Sequence, residues 1–508
     1  MAARQQALDA FSTEHLRADL KGRAVRGGVL TLTSQGAQFV MQSVATVVLA
    51  RLLIPADFGL VAMVTAITGL GQAFADLGLS EATIQHPEIT HDQVSTLFWI
   101  NVGIGLALTT VTVSLGPVLA WFYREPRLIG ITLLVSLTFL ICGLRVQHDA
   151  LLRRQMRFLS LAIRDVSSYA IAVPVAIVMA WRGAGYWALV ALPLTLNLVQ
   201  MVLSWWMAGW LPGLPRRDAK VRPLIAFGGK VAASYLIFNA NRSADSVLIG
   251  WYWGAGPLGL YSRAMNLLLL PVRQLGGPAR SVAVPAFSRV QAEPERLARY
   301  YLRTASLIMW IVAPIFGFLF VAAVPVIVVA LGNRWREAAP VFQILAIFAL
   351  GQLLYDSTVW LLVSRGQSQR LLQLALIVCP ITVGSYAVGL PFGIKGVALS
   401  GSLVLLAIFP WILKFSFKGT NLTLRRVGRA IVYPIIMCLA GVCSGEIVMR
   451  LVASQGVVLQ LLATALGFAA GCSLSLLIAP LRQEALSLWA LFGKSYSAAS
   501  PQLAESSI

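Results

Sequence analysis

Charge is scarce in this chain: only 12% of its 508 residues are Asp, Glu, Lys or Arg, against about 25% in soluble domains. With 58% hydrophobic residues, that shortage excludes a water-soluble fold. Histidine is limited to 4 residues, with His15 in the N-terminal tail and His148 at a membrane edge, so no Ser/His/Asp arrangement can be argued. The five cysteines, Cys142, Cys379, Cys438, Cys443 and Cys472, fall in apolar runs without CxxC spacing. They read as small core residues, and no metal site is expected. There is no P-loop, so ATP hydrolysis is not indicated, and no cofactor is expected. The first 27 residues are charged and lack a short apolar core followed by a cleavage site. No removable signal peptide is expected, and the first span serves as the insertion signal.

What is present is apolar length. Runs able to cross a hydrocarbon core about 30 Å thick recur about fourteen times. They are placed at 28-50, 58-80, 94-122, 128-146, 162-182, 185-208, 224-250, 256-280, 301-330, 338-362, 369-391, 396-414, 429-450 and 455-479. Barrel strands are about 10 residues long with alternating polarity, so the fold class is an all-α polytopic membrane protein.

A net charge of +20 would suggest nucleic acid in a soluble chain, so where the cations lie decides what they mean. They crowd on alternate flanks of the spans, as at Arg153, Arg154 and Arg157 or Lys414, Lys418, Arg425 and Arg426. The opposite flanks hold few, such as Arg51, Arg124 and Arg127. This is the positive-inside pattern, which puts both termini in the cytoplasm and supports fourteen spans, since removing one would scramble the alternation; no nucleic-acid partner is expected.

The chain also resembles itself. Phe58-Gly59-Leu60 recurs as Leu258-Gly259-Leu260, and Gly183 with Ala188-Leu189 recurs as Gly393 with Ala398-Leu399. Six spans separate the equivalents, so the two halves insert with the same orientation. The expectation is two six-helix lobes related by a pseudo-two-fold along the membrane normal, plus two C-terminal helices, with a site between the lobes near the midplane. The segments are a cytoplasmic N-terminal stretch 1-27, an N-lobe 28-209, a linker 210-223 and a C-lobe 224-414. The last two spans occupy 415-480 and a cytoplasmic tail 481-508.

Four cations lie inside apolar runs: Lys230 and Arg242 in the seventh, Arg263 and Arg273 in the eighth. A cation at the bilayer centre costs roughly 2.5 to 3.5 kcal/mol on insertion scales, so such residues face a partner, a wet cavity or a ligand. Arg242 and Asp245 lie three apart on one face and can pair. A neutralised structural pair and a ligand role are equally supported for them. Arg263 sits at a similar depth, and one Asp cannot neutralise two Arg, so an anion-binding cavity is the sharper reading. Lys230 and Arg273 lie deeper towards the cytoplasm, where snorkelling to the interface is the leading reading.

The first span presents Gln35, Gln38 and Gln42 on one face, with Asn239 at the equivalent position of the repeat. Substrate contact and interhelical hydrogen bonding stand at parity for these amides. Asp76, Asp245 and Asp356 are the candidates for coupling transport to an ion, with a solvated role favoured for Asp76 and Asp356. Gly254-Ala255-Gly256-Pro257-Leu258-Gly259 spells GxGxxG but joins two spans, so it is a turn. His86, Glu88, His91 and Asp92 share one short polar loop and read as a hydrophilic turn rather than a metal site. Trp205, Trp206, Trp210, Trp251, Tyr252 and Trp253 read as interfacial belts.

The stretch from Ala50 to Met63, ARLLIPADFGLVAM, with Asp76-Leu77-Gly78-Leu79 and Leu97-Phe98-Trp99-Ile100-Asn101, resembles bacterial polysaccharide exporters of the Wzx type in the MOP superfamily. So does Asn241-Arg242-Ser243-Ala244-Asp245-Ser246-Val247-Leu248-Ile249-Gly250, followed by Leu258-Gly259-Leu260-Tyr261. The similarity covers roughly residues 25 to 420. It implies a fourteen-helix, two-lobed flippase of the bacterial inner membrane that moves an undecaprenyl-pyrophosphate-linked oligosaccharide by alternating access around a cationic cavity. The implied partners are that lipid-linked oligosaccharide and membrane lipid, with a polysaccharide polymerase and a chain-length regulator as further candidates. A cation-coupled multidrug antiporter of the same superfamily is the alternative, but it needs net acid in its cavity. A polysaccharide polymerase or ligase is a third, and the short outer loops argue against it.

Overall fold

In lipid a backbone can satisfy its N–H and C=O groups only within a helix or a closed barrel. The computed structural model describes residues 20-71, 78-86, 89-216 and 243-486, and every regular element among them is helical. They are α1 (Leu20–Leu52), α2 (Pro55–Gly71), α3 (Leu79–Gln85), α4 (His91–Tyr123), α5 (Leu128–Arg154), α6 (Phe158–Trp181), α7 (Tyr186–Ala208) and α8 (Ala244–Trp253). There follow α9 (Ala255–Arg289), α10 (Pro294–Val321), α11 (Ala323–Leu331), α12 (Ala339–Ser364), α13 (Ser368–Gly389), α14 (Gly393–Ser416), α15 (Leu424–Leu451) and α16 (Val457–Ser475).

Nine stretches among the described residues are long and apolar enough to cross a membrane, and one of them, Ser368–Ser416, holds both α13 and α14. α2 is a shorter apolar helix. α1 and α9, 33 and 35 residues long, fall outside the nine, and they are the helices that carry Gln35, Gln38 and Gln42 or Arg263 and Arg273. The chain is a multi-pass, all-helical membrane protein, and fourteen remains the number expected from sequence. Large apolar side chains such as Leu466 and Val388 stand more than 70% exposed, as a surface meant for lipid requires.

Local sequence sets the helix ends. α4 starts with a capping box, in which the Thr90 hydroxyl accepts from the Gln93 N–H and the Gln93 side chain accepts from the Thr90 N–H. It ends at Arg124, whose φ of 56° turns the chain back into α5. The glycines matched by the repeat, Gly183 and Gly393, both take positive φ, 82° and 77°, in the turns before α7 and α14. The matched Ala188 and Ala398 are both buried just beyond.

The chain divides into two compact units, Met1–Ser262 and Arg263–Ile508. In the first, α4 packs along α5, α6 along α7, and α1 along α6. In the second, α15 packs along α16 and α10, and α14 lies against α12 and α13.

The start of α9 crosses α2 within the first unit at the matched FGL/LGL words. A Cβ on Gly59 would lie 1.7 Å from the Ala255 carbonyl oxygen, and one on Gly259 would lie 1.8 Å from the Pro55 carbonyl oxygen. The contact is reciprocal: Pro55 matches Ala255, and Gly59 matches Gly259, at the same offset of two hundred residues. Backbones approach this closely only where both helices lack a side chain.

Trp210, expected in an interfacial belt, is instead buried at 2% exposure among the rings of Phe98, His148 and His91. Its neighbours hold it there: Trp99 donates to the Gly213 carbonyl at 2.8 Å, and the Gly213 N–H donates to Ser95 at 3.0 Å. Trp206 does remain exposed. Cys443 is likewise exposed rather than in the core, whereas Cys438 is buried, with its thiol against the Ala313 carbonyl at 3.1 Å.

Candidate functional site

The amide stripe of α1 lies on an accessible face. Gln35 and Gln42 are exposed and Gln38 is half-buried, and none of the three side chains is hydrogen-bonded to a described residue. Ser34 and Thr46 on the same helix instead satisfy their hydroxyls on its own carbonyls, Thr31 at 3.0 Å and Gln42 at 2.8 Å. Helix-facing amides in a bundle interior find partners because leaving one unmade costs about 1–3 kcal/mol. The stripe is therefore not packed against described neighbours.

Asp245 is buried in the first turn of α8. Its carboxylate accepts from the Tyr261 hydroxyl at 2.9 Å and from the Ser246 N–H at 2.6 Å. Both arrangements suit a carboxylate: the helix N-terminus presents unpaired N–H groups, and Tyr261 is itself buried. The effect is to tie α8 to the start of α9, next to the Gly59–Gly259 crossing. Phe122 of α4 stacks on Trp251 of α8, centroids 6.2 Å apart, on the same side of the unit.

In the second unit, Arg263 is half-buried one turn beyond Gly259, and Arg273 is exposed ten residues further along α9. Asp356 is half-buried within α12 and accepts from Gln352 at 3.1 Å. Lys230, Asn239, Arg242 and Asp76 lie outside the described residues. No group of three or more His, Cys, Asp or Glu among the described residues can hold a metal ion. His91 sits beside Ser95 at 3.3 Å, and Asp92 pairs with Arg216 at 2.6 Å, so this polar turn anchors the 210-216 segment.

One polar network escaped the reading of the sequence. Asp149 of α5 lies within ion-pair distance of Arg145, 3.2 Å away, and of Arg164 on α6. It also accepts from Ser204 of α7 at 2.6 Å. Arg164 reaches Asp165 at 2.6 Å, Gln200 donates to Asp165 at 3.3 Å, and Arg145 donates to Gln200. Arg164 is 5% exposed, so these charges are buried and mutually compensated. The available signal was the i,i+4 spacing of Arg145 and Asp149, hidden because the fourth span was ended at 146 while α5 continues to Arg154. Arg154 itself is buried and donates to the carbonyls of Thr83 at 3.0 Å and His86 at 2.5 Å, capping the C-terminus of α3.

Residues 48–340 match the model of a family described as polysaccharide biosynthesis protein. The chain is 26% identical over 309 residues to the lipopolysaccharide biosynthesis protein WzxC of Escherichia coli (strain K12), covering 60% of this chain and 62% of that protein. It therefore spans less than two thirds of the length of that relative. The succinoglycan biosynthesis transport protein ExoT of Rhizobium meliloti (strain 1021) is 27% identical over 378 residues, 74% of each chain. Among solved structures, the lipid II flippase MurJ in an inward closed conformation aligns with a TM-score of 0.68 at 13% identity, over 89% of this chain and 99% of that one. That likeness establishes the fold.

Proposed function

The chain belongs to the polysaccharide biosynthesis protein family, and from that membership we propose that it is a flippase carrying an undecaprenyl-pyrophosphate-linked oligosaccharide across the bacterial inner membrane. The observation that carries the reading is the family match over residues 48–340, joined by relatives named for lipopolysaccharide biosynthesis and succinoglycan transport. Its product would feed exopolysaccharide or lipopolysaccharide assembly. In this reading the protein is a transporter rather than an enzyme, and both termini are cytoplasmic, as the charge bias expects.

Moving such a lipid requires a water-accessible path for the glycan and countercharge for the pyrophosphate. Arg supplies the countercharge best, because its planar fork meets phosphate oxygens two at a time. Arg242 and Arg263 are proposed to hold the pyrophosphate or acidic sugars, with Arg273 and Lys230 contributing. The accessible amides of Gln35, Gln38 and Gln42, with Asn239, are proposed to meet sugar hydroxyls. Asp76, Asp245 and Asp356 are the candidates for ion coupling; among them Asp245, already held by Tyr261 and Ser246, also has a structural task. Alternating access then exposes this cationic cavity to each leaflet in turn.

The test is complementation in a strain lacking its own copy of the gene. Wild type restores surface polysaccharide; Arg263→Ala and Arg242→Ala reach the membrane in normal amount but leave the lipid-linked oligosaccharide in the cytoplasmic leaflet. Full export from both variants would reject the cationic cavity. A wild-type chain that restores no polysaccharide in any export-deficient host would reject the function itself.

A further inference from the structure

The second unit carries a basic cleft that the transport reading does not use. Where α14 gives way to α15, a cavity of about 520 Å³ is lined by Lys414, Lys418 and Arg425 together with Phe417, Leu422 and Leu424, and no acidic residue lines it.

The loop around the cavity is built rather than loose. Arg365 donates to the carbonyls of Lys418 and Gly419 at 3.2 and 2.9 Å, and Arg370 donates to the same Lys418 carbonyl at 2.8 Å. Thr423 caps α15 by accepting from the Arg426 N–H at 3.3 Å. Two guanidinium groups are thereby drawn together behind a loop that already carries Lys414, Lys418 and Arg425. Burial, and then the charge of Arg370, hold the Arg365 pKa below its ordinary value.

The first turn of α15 contains no acid, while Arg425, Arg426 and Arg429 occupy its opening residues. Cations at this end oppose the helix dipole by about 0.3–1 kcal/mol each. Glu295 compensates Arg426 at 3.3 Å, but among the described residues no carboxylate pairs with Lys414, Lys418, Arg425 or Arg429. Topological bias explains why cations lie on this flank, but not why three of them converge on one acid-free cleft completed by Thr420, Thr423 and Leu424. α14 and α15 both belong to membrane-crossing stretches, so their joint end lies at the depth of lipid headgroups.

We propose that this cleft binds the phosphate of an anionic phospholipid headgroup, with Lys414, Lys418 and Arg425 on the phosphate and the part-exposed Leu424 beside the glycerol. A position at the ends of two membrane-crossing stretches, at headgroup depth, favours a lipid over a free anion. The proposal stands independently of the transport reading.

The test titrates the purified full-length protein, in neutral detergent, with short-chain phosphatidylglycerol, short-chain phosphatidylcholine and inorganic phosphate, counting bound molecules by native mass spectrometry. Phosphatidylglycerol should bind saturably and more tightly than either of the others. The double variant Lys418→Gln/Arg425→Gln should weaken it about 25-fold, at about fivefold per cation. Both side chains are exposed, so the fold should survive. Arg299→Gln/Arg303→Gln, which removes the same charge from exposed positions on α10, should change binding less than twofold. Equal weakening in both double variants would mean diffuse attraction and would overturn the site, as would no weakening in the first. Phosphate or phosphatidylcholine binding as tightly as phosphatidylglycerol would overturn the assignment to an anionic lipid.

Discussion

Asp149 shows how a single carboxylate can organise three helices in lipid. It faces Arg145 on its own helix, Arg164 on α6 and Ser204 on α7. A compensated buried network is not by itself strongly stabilising, but removing one member leaves an uncompensated charge, at a cost of about 3–5 kcal/mol. Asp149→Ala should therefore lower the thermal unfolding midpoint of the detergent-purified protein sharply. The double variant Asp149→Ala/Arg164→Met should recover part of the loss, because it removes the stranded guanidinium. A midpoint unchanged in Asp149→Ala would mean that the network is solvated and carries no such load. This cluster was illegible in the sequence because Arg145 and Arg164 already fit the positive-inside pattern, and Asp149 lies beyond the apolar run of α5, which continues to Arg154. The amides of α1 were legible from spacing alone, and structure adds that Gln35 and Gln42 are exposed.

Among elements, the crossing of α2 with the start of α9 is the most constrained feature. The glycines of the repeated FGL and LGL words lie against one another's preceding turn. The matched backbone oxygens, Ala255 and Pro55, cannot move aside as a flexible side-chain tip could. Gly259→Leu should therefore force α2 and α9 apart, reducing folded protein in the membrane and lowering the unfolding midpoint by several degrees. Gly256→Ala, beside this contact but with open space around its missing Cβ, should be tolerated. If Gly259→Leu folds and melts like wild type, the two helices are not held at this crossing. The all-helical class was legible from hydropathy, whereas helix ends and breaks were not: the run 301-330 is two helices, α10 and α11, and α3 follows the run 58-80. α5 runs to Arg154 and α9 to Arg289, beyond their apolar runs, where Arg154 donates to the Thr83 and His86 carbonyls and Ser288 to the Ser364 carbonyl, contacts that a hydropathy pattern does not record.

At the scale of the whole molecule, scarcity of charge, long apolar runs and alternate basic flanks made a multi-pass helical protein legible before any coordinates, and the family match and MurJ-like fold agree with it. What sequence could not provide is the environment of each intramembrane cation, since the cost of burying a guanidinium depends on water, carboxylates and ligand around it. In the function proposed above, Arg263 on α9 holds the charged head of the transported lipid. The most direct measurement is translocation by the purified protein in proteoliposomes, following a labelled undecaprenyl-pyrophosphate oligosaccharide as it becomes accessible on the opposite face. Wild type should move it at least tenfold faster than protein-free vesicles and faster than the same glycan on an uncharged polyprenol, with Arg263→Ala reduced to background and Arg263→Lys intermediate. Equal rates for wild type and Arg263→Ala, or indifference to the pyrophosphate, would contradict it.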